Sequence, residues 1–221
     1  MGRALVVGAS GGIGAAVAAE LERRGYAVLR LSRSQDGLDV TDEDSVAAAL
    51  EPVEGPFWLV LVATGALVID GHEPERAVRE VTAEGLLNQV RVNALGPILI
   101  LKHALRLLPK DRRSAFVALS ARVGSISDNG IGGWHSYRTS KAALNQLIRG
   151  ASIEMKRTHR HAAAVCLHPG TVKTPFTAKY AERHRMVSAD EAARNLVNVI
   201  ESLTPAHSGG FFDSAGNEIP W

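Results

Sequence analysis

Tyr137 and Lys141 stand four residues apart in the stretch YRTSK, inside a predicted helix over 135–157. Side chains at this spacing lie on the same helix face, one turn apart. A free phenol has a pKa of about 10, and a nearby ammonium favours the phenolate and lowers that pKa. The pair therefore predicts a group that gives a proton to a carbonyl or takes one from an alcohol. The alternative is a surface pair without chemistry, because this spacing is common in helices.

A glycine-rich turn follows the first apolar run of the chain, in the stretch VVGASGGIGAAVA. Gly8, Gly12 and Gly14 have the spacing G-x-x-x-G-x-G between a predicted strand and a predicted helix. Glycine lets the backbone approach a pyrophosphate, whose charge the N–H groups and dipole of the following helix would hold. No Lys-Ser or Lys-Thr pair follows, which excludes the phosphate-binding loop of NTPases. The turn predicts a dinucleotide site, with an ordinary loop as the alternative.

The residues after the second apolar run bear on which dinucleotide would bind. An acid at this position would accept a hydrogen bond from a free ribose 2'-hydroxyl, but the chain reads LSRSQDGLDV, with Arg33 first in line. A guanidinium matches a 2'-phosphate in charge and geometry, so Arg33, with help from Ser10 or Ser34, favours NADP(H) over NAD(H). The alternatives are a solvated surface arginine at Arg33 and a ribose contact by Asp36.

The elements that must position these residues alternate along the chain. Apolar, β-rich runs occur at 4–7, 27–31, 57–63, 115–119, 162–167 and 210–213. Helical stretches separate them, at 13–24, 42–51, within 74–108, at 135–157 and at 188–203. Most of the apolar runs are continuous, as in strands that are covered on both faces. This alternation predicts an α/β fold of parallel β-α-β units in a doubly wound sheet.

Length, charge and cysteine content narrow the function classes. The 221 residues, 46% of them hydrophobic, suffice for one α/β domain with a sizeable core. The net charge of +2 is spread without a basic stripe, so no nucleic-acid partner is expected. Cys166 is the only cysteine, which excludes an intrachain disulfide and fits a reducing, cytoplasmic location. Apolar runs are too short for a membrane span and the histidines lack metal-ligand spacing, so neither a membrane nor a metal is expected.

Five motifs in order carry a resemblance to a known family. Beside GASGGIG and YRTSK, the chain has LDV at 38–40, VNALGP at 92–97 and HPGTVKT at 168–174. The sequence resembles the short-chain dehydrogenase/reductase family over essentially its whole length. The stretches SARVGSISDN, GGWHSYRTSKAALN and GGFFDSAGNEIPW are similar to the C-factor-like and carbonyl-reductase-like branch. The resemblance implies a single Rossmann-type NAD(P)-binding domain over 1–221, with a mostly parallel seven-stranded sheet flanked by helices.

The resemblance also assigns roles to individual residues. Tyr137 is expected to be the general acid of carbonyl reduction, Lys141 to hold the nicotinamide ribose and lower the tyrosine pKa, and Asn93 to position a water in a relay to Lys141. Residues 175–188 are expected to form a substrate lid. The expected cofactor contacts are Gly8, Ser10, Gly12, Ile13, Gly14, Arg33, Asp39, Val40, Ala63, Thr64, Gly65, Tyr137, Lys141, Pro169, Gly170, Val172 and Thr174.

The chain departs from the family pattern at three places. Val62-Ala63-Thr64-Gly65 replaces the usual Asn-Asn-Ala-Gly after the third apolar run, and the stretch between Arg33 and Asp39 is shorter than usual. The family serine that hydrogen-bonds the substrate oxygen falls on Ala121. Ser120 is the first candidate to replace it, although neighbouring strand positions face opposite ways, and Ser125 is the second.

Two functions follow from these observations. The first is an NADPH-dependent oxidoreductase that reduces a small or lipid-derived aldehyde or ketone, reversibly, and that the resemblance expects to be a homodimer or homotetramer. The second is an NADP(H)-binding regulatory or signalling protein on the same fold with little or no turnover. Turnover of a carbonyl substrate would separate them.

Overall fold

The computed structural model describes residues 2–173 and 186–221, and its strands form one sheet. In the described ranges the sheet has six strands in the order β2-β1-β3-β4-β5-β6, and every neighbouring pair is parallel. The strands are β1 (Arg3–Val7), β2 (Ala27–Leu31), β3 (Leu59–Val62), β4 (Ser114–Leu119), β5 (Ala162–His168) and β6 (Phe211–Asp213). Each lies within two residues of a predicted apolar run, so the doubly wound α/β fold is confirmed.

The helices of the described chain connect these strands and cover both faces of the sheet. They are α1 (Gly12–Arg23), α2 (Arg33–Asp36), α3 (Glu43–Leu50), α4 (Ala83–Val90), α5 (Gly96–Ala104), α6 (His135–Thr158) and α7 (Ala189–Ser202). A π-helical segment, Arg91–Leu95, joins α4 to α5. Within the described ranges, no helix combines the length and the apolar character that a membrane span requires.

The sheet separates two hydrophobic cores, because successive strand residues point to opposite faces. In β1, Ala4 and Val6 pack with α1 and α7 on one face, whereas Leu5 and Val7 pack with α3, α5 and α6 on the other. All four are fully buried. Coverage on both faces explains why the strands read as continuous apolar runs rather than as alternating ones.

The expected count of seven strands is wrong, because the described residues form six. The shortened connection after β2 is one place where the chain departs from the family pattern. Only residues 32–38 separate β2 from Asp39, and they contain the short helix α2 and Gly37 in a left-handed conformation, with φ 69°. Too few residues remain for an additional strand, although Leu38 is still buried in the core.

The carboxyl ends of the parallel strands meet at one edge of the sheet, and the loops there are joined by backbone hydrogen bonds. The amide of Gly8 donates to Leu31 O at 2.8 Å, and that of Ala63 donates to Val7 O at 2.8 Å. The amide of Ser120 donates to Leu167 O at 2.8 Å. Ligands of open α/β sheets bind at this edge, and the predicted site residues lie around it.

Candidate active site

The turn between β1 and α1 is closed tightly by glycine. Gly8 has φ +87°, and a Cβ added there would lie 2.9 Å from Ala63 C. A Cβ on Gly14 would lie 2.2 Å from Gly8 O, so neither position accepts a side chain without a backbone shift. The N-cap of α1 is Gly11, which makes no side-chain cap. The first N–H groups of the helix are therefore suited to an anionic ligand, and the turn fits a dinucleotide pyrophosphate.

The end of β3 faces the same cleft. Thr64 Oγ1 is buried and has no hydrogen-bond partner among the described residues. Next to it, a Cβ on Gly65 would lie 3.0 Å from Asn93 Oδ1 and 3.3 Å from Lys141 Nζ. A buried hydroxyl without a partner costs free energy unless a ligand or water satisfies it. Thr64 thus provides a polar atom without a partner, and Gly65 provides a surface without a side chain beside Lys141. Both features fit a bound cofactor.

The turn after β2, where the adenosine is expected, is more exposed. Arg33 begins α2 and is exposed. Asp36 Oδ2 accepts hydrogen bonds from Ser32 N at 2.7 Å and from the Ser32 hydroxyl at 3.3 Å, so the local turn already engages this carboxylate. Asp39 Oδ1 accepts from the amide and hydroxyl of Thr41, which hold the pKa of Asp39 below its usual value. Arg33 is the positively charged group of this turn, and its side chain is exposed to solvent.

Asn93 lies in the π-helical segment, where an extra residue per turn changes which side chains face the sheet edge. The side chain is fully buried, and both its oxygen and its nitrogen make hydrogen bonds within the chain. Its Oδ1 accepts from Ala66 N at 2.9 Å, and its Nδ2 donates to Ala66 O at 2.9 Å and to Gln89 Oε1 at 2.6 Å. A longer contact of 3.2 Å joins Nδ2 to Ser140 Oγ. Asn93 therefore links the loop after β3 to α6.

Lys141 is 3% exposed, and its Nζ donates to Leu119 O at 3.0 Å. Burial lowers the pKa of this ammonium to about 8, against a smaller opposing effect of the Cys166 thiol. The lysine is consequently held at the end of β4 by a backbone carbonyl rather than by a carboxylate. An ammonium there is positioned to donate to an acceptor near Gly65 or Tyr137.

Tyr137 is 6% exposed and lies beside Lys141, whose Nζ is 5.9 Å from the centre of the phenol ring. Burial raises the pKa of the phenol above its ordinary value of 10.0, so the expectation that Lys141 lowers this pKa is wrong. The hydroxyl is therefore protonated at neutral pH, as a proton donor to a carbonyl must be. Trp134 packs edge-to-face against the tyrosine ring, with centroids 6.2 Å apart.

The two serine candidates both have partners within the chain. Ser120 donates its hydroxyl hydrogen to Asn145 Oδ1 at 2.7 Å, and Ser125 Oγ accepts from Asp128 N at 3.1 Å. Both serines are buried, at 4% and 2% exposed. Ala121, in the expected slot, has extended backbone angles of φ −143° and ψ 145°. The assignment of Ser120 requires its hydroxyl to exchange Asn145 for a substrate oxygen, and it stays a prediction.

The segment after β5 begins at the carboxyl end of that strand. Gly170 has φ +81°, and Val172 is 2% exposed in a bridge to Val187. Thr174 and residues 175–185 of the predicted lid lie outside the described residues. The predictions for that segment therefore stay predictions.

Sequence reasoning missed two polar residues near the site. Gln89 is buried and donates from Nε2 to Leu67 O at 2.8 Å, while its Oε1 accepts from Asn93. It stands four residues before Asn93, so helical periodicity could have placed both on one face. Glu75 is also buried, and its carboxylate accepts from Ser136. No local pattern could have indicated a contact that joins residues 61 positions apart.

Comparison with known proteins extends over the site and most of the chain. A family model described as enoyl-(acyl carrier protein) reductase matches residues 8–204, which include the glycine turn, Asn93, Tyr137 and Lys141. The dehydrogenase of 1-hydroxy-2-glutathionyl-2-methyl-3-butene from Rhodococcus sp. (strain AD45) is 30% identical over 236 residues, covering 100% of both chains. C-signal of Myxococcus xanthus is 34% identical over 145 residues, covering 66% of this chain and 84% of C-signal.

A solved structure has the same architecture. A Burkholderia multivorans protein, described as a short-chain dehydrogenase/reductase and crystallised with bound NADP, matches with a TM-score of 0.84 and 29% sequence identity. The match covers 100% of this chain and 99% of that chain. The common fold thus includes both the turn after β1 and the helix that carries Tyr137.

Proposed function

The chain belongs to the short-chain dehydrogenase/reductase family, and we propose that it uses NADPH to reduce a small or lipid-derived aldehyde or ketone to an alcohol, reversibly. Membership makes it an oxidoreductase. The finer proposal depends mainly on one observation, the buried pair of Tyr137 and Lys141 beside Gly65. NADP in the Burkholderia multivorans structure and dehydrogenation by the Rhodococcus relative support it.

The proposed cofactor site uses residues from both ends of the cleft. Gly8 and Gly14 let the turn after β1 close tightly, and the amides of the first turn of α1, which begins at Gly12, hold the charge of the pyrophosphate. Arg33 pairs with the 2'-phosphate, and this pairing favours NADPH over NADH. Further contacts are proposed for Ser10, Ile13, Asp39, Val40, Ala63, Thr64, Pro169, Gly170, Val172 and Thr174.

When bound, the nicotinamide supplies the hydride, and the chain supplies orientation and the proton. Tyr137 donates its phenolic proton to the carbonyl oxygen, because burial keeps that proton in place at neutral pH. Lys141 donates to the ribose hydroxyls, and its positive charge stabilises the phenolate that remains. Burial of both groups strengthens their interaction by excluding water.

Asn93 and Ser120 have supporting roles in this proposal. Asn93 holds the loop at Ala66 beside Lys141 and belongs to the relay that returns a proton to Tyr137. Ser120 hydrogen-bonds the substrate oxygen after leaving Asn145. Residues 175–188 act as the substrate lid.

A panel of aliphatic, aromatic and lipid-derived aldehydes and ketones tests the proposal. Purified protein is mixed with NADPH and each carbonyl, and the absorbance of NADPH is followed. We expect NADPH oxidation with at least one member, at a rate that saturates with carbonyl concentration. Binding of NADPH without turnover across the panel would contradict the reductase.

The second candidate is an NADP(H)-responsive regulatory or signalling protein. The absence of the serine at Ala121 and of the Asn-Asn pair before Gly65 favours it, because both changes remove polar side chains that the family pattern has at the site. The same panel separates the two candidates, since this one predicts NADPH binding without turnover. A homodimer or homotetramer is proposed for either, and sedimentation velocity tests it.

A further inference from the structure

Glu75 lies in the loop between β3 and α4 and is 8% exposed although it carries a carboxylate. Glutamate is seldom buried without a partner that satisfies its charge. Here the partners belong to α6, the helix that carries Tyr137. Oε2 accepts from Ser136 N at 3.1 Å, and Oε1 accepts from the Ser136 hydroxyl. Ser136 directly precedes Tyr137, so the carboxylate is bonded next to the proposed proton donor.

The backbone of Glu75 makes a further contact with the same helix. Its carbonyl oxygen accepts from Trp134 N at 2.6 Å. Trp134 is the N-cap of α6, yet its own side chain makes no capping hydrogen bond, and the first turn contains no acid. Glu75 thus satisfies N–H groups that the helix leaves open, and it places a negative charge at the positive end of the helix dipole.

Trp134 needs such support, because its backbone is left-handed, with φ 52° and ψ 41°. A bulky residue in this region is strained by about 1–3 kcal/mol and keeps that conformation only where its surroundings fix it. Arg138 contributes from the opposite side, with Nε donating to Gly133 O at 2.9 Å and Nη2 to Gly132 O at 3.2 Å. Glu75 and Arg138 therefore hold the strained turn from both sides.

The strained turn lies against the proposed reaction centre. The Trp134 ring meets the Tyr137 ring edge-to-face, and Glu75, Tyr137 and Gln89 line one cleft. We propose that Glu75 is a positioning residue, whose hydrogen bonds to Trp134 and Ser136 fix Trp134 against Tyr137 and so set where the phenol meets the substrate carbonyl. The inference rests on the proposed reductase function.

Hydrogen-bond geometry, rather than charge alone, is what this role requires. The Glu75→Gln side chain keeps an oxygen that accepts from Ser136 N and gains an NH₂ that donates to the Ser136 hydroxyl. Both contacts to Ser136 can therefore persist without the negative charge. Glu75→Ala removes both, whereas the backbone contact to Trp134 is available in either variant.

Kinetics with matched variants test the effect on the reaction. Thr82→Ala is the control, because Thr82 Oγ1 caps α4 at the end of the same loop by accepting from Gly85 N at 3.1 Å. We expect Glu75→Ala to lower kcat about tenfold or more at an unchanged Kd for NADPH, while Glu75→Gln recovers most of the loss. Thr82→Ala should lower Tm while kcat stays within about twofold. Equal kcat losses in Glu75→Ala and Thr82→Ala, or no recovery in Glu75→Gln, would overturn the proposal.

A second measurement is independent of turnover. In the Trp58→Phe/Trp221→Phe background, Trp134 is the remaining tryptophan, and acrylamide quenching reports its exposure. We expect Glu75→Ala to raise the quenching constant about twofold, and Glu75→Gln and Thr82→Ala to leave it near that of the background protein. An unchanged constant in Glu75→Ala would overturn the positioning role. A changed constant in a chain that reduces no carbonyl would instead count against the reductase.

Discussion

The two ends of the cleft differ in how firmly the chain holds its polar groups. At the nicotinamide end, Tyr137, Lys141 and Asn93 are almost completely buried, and backbone carbonyls or neighbouring amides fix the last two. At the adenosine end, Arg33 is exposed on a short helix that follows a shortened connection. In the proposed function, the first end carries out the chemistry, whereas the second end contributes charge to cofactor binding.

This difference predicts different consequences of mutation. Burial makes an electrostatic interaction strong and its loss costly, whereas solvent and salt screen an exposed charge. Changes at the nicotinamide end should therefore reduce kcat by large factors. Mutations at the adenosine end should change cofactor affinity by small factors.

The largest effect is expected from Lys141→Met, which removes the buried ammonium and keeps most of the side-chain volume. Without that charge the phenolate of Tyr137 is not stabilised, so kcat should fall about a hundredfold or more. Steady-state NADPH oxidation measures it. Lys102→Met is the control, because Lys102 pairs with Glu43 on the surface, and its kcat should match that of the unmodified chain. Loss of less than about threefold in Lys141→Met would remove the functional distinction between the two ends.

The dependence of kcat on pH should report the titration of Lys141. Burial lowers the pKa of Lys141 from its ordinary 10.5 to about 8, so the ammonium is lost as the pH rises through about 8. We expect kcat of reduction to fall above that pH, by about tenfold per pH unit at the limit. A level kcat up to about pH 9.5 would contradict this.

Stability should change in the opposite direction over the same pH window. Between pH 8 and 10.5 the unfolded chain binds more protons at Lys141 than the folded chain does. The contribution of this group to the free energy of unfolding therefore increases with pH. Urea unfolding at two pH values within the window measures this increase in the free energy of unfolding, independently of the loss of kcat.

A smaller effect is expected at the adenosine end. Arg33→Ala should raise the Kd for NADPH about tenfold and leave the Kd for NADH unchanged, because in the proposed site the guanidinium meets only the 2'-phosphate. Fluorescence titration measures both constants. Arg30→Ala serves as the control, since Arg30 pairs with Glu22 on the surface at 2.7 Å. If Arg33→Ala raised the Kd values for NADH and NADPH equally, Arg33 would attract both cofactors by charge without recognising the 2'-phosphate. A ribose contact by Asp36 would then be the better explanation.

A smaller effect than that of Lys141→Met is expected from Ser120→Ala, since the hydroxyl is already engaged by Asn145. We expect kcat/KM for the carbonyl to fall about threefold to tenfold with the Kd for NADPH unchanged. Ser125→Ala should have less effect, because Ser125 Oγ is engaged as the acceptor of Asp128 N. A larger loss in Ser125→Ala than in Ser120→Ala would reverse the assignment.

The sequence predicts those features that local patterns determine. Continuous apolar runs indicated the six strands, and helical spacing indicated that Tyr137 and Lys141 share a face. The seventh strand was expected from family resemblance, although residues 32–38 are too few to form it. The sheet therefore has six strands because the connection after β2 is short, although the family motifs are present.

Contacts between distant residues could not be predicted from local patterns. The bond from Ser136 to Glu75 spans 61 positions, and the bond from Ser120 to Asn145 spans 25. Both depend on how the loops pack at the sheet edge, where several polar groups compete for the same acceptors. The π-helical segment around Asn93 was equally hidden, because an ordinary helix would show the same apolar spacing.

In the proposed mechanism, Tyr137 gives the proton while the rest of the site binds the cofactor. Tyr137→Phe removes one hydroxyl and keeps the ring that packs against Trp134. Measured together on this variant, the Kd for NADPH should be unchanged and the rate of NADPH oxidation with a reactive carbonyl should fall at least about a hundredfold. Unchanged binding with full turnover in Tyr137→Phe would contradict the proposed mechanism.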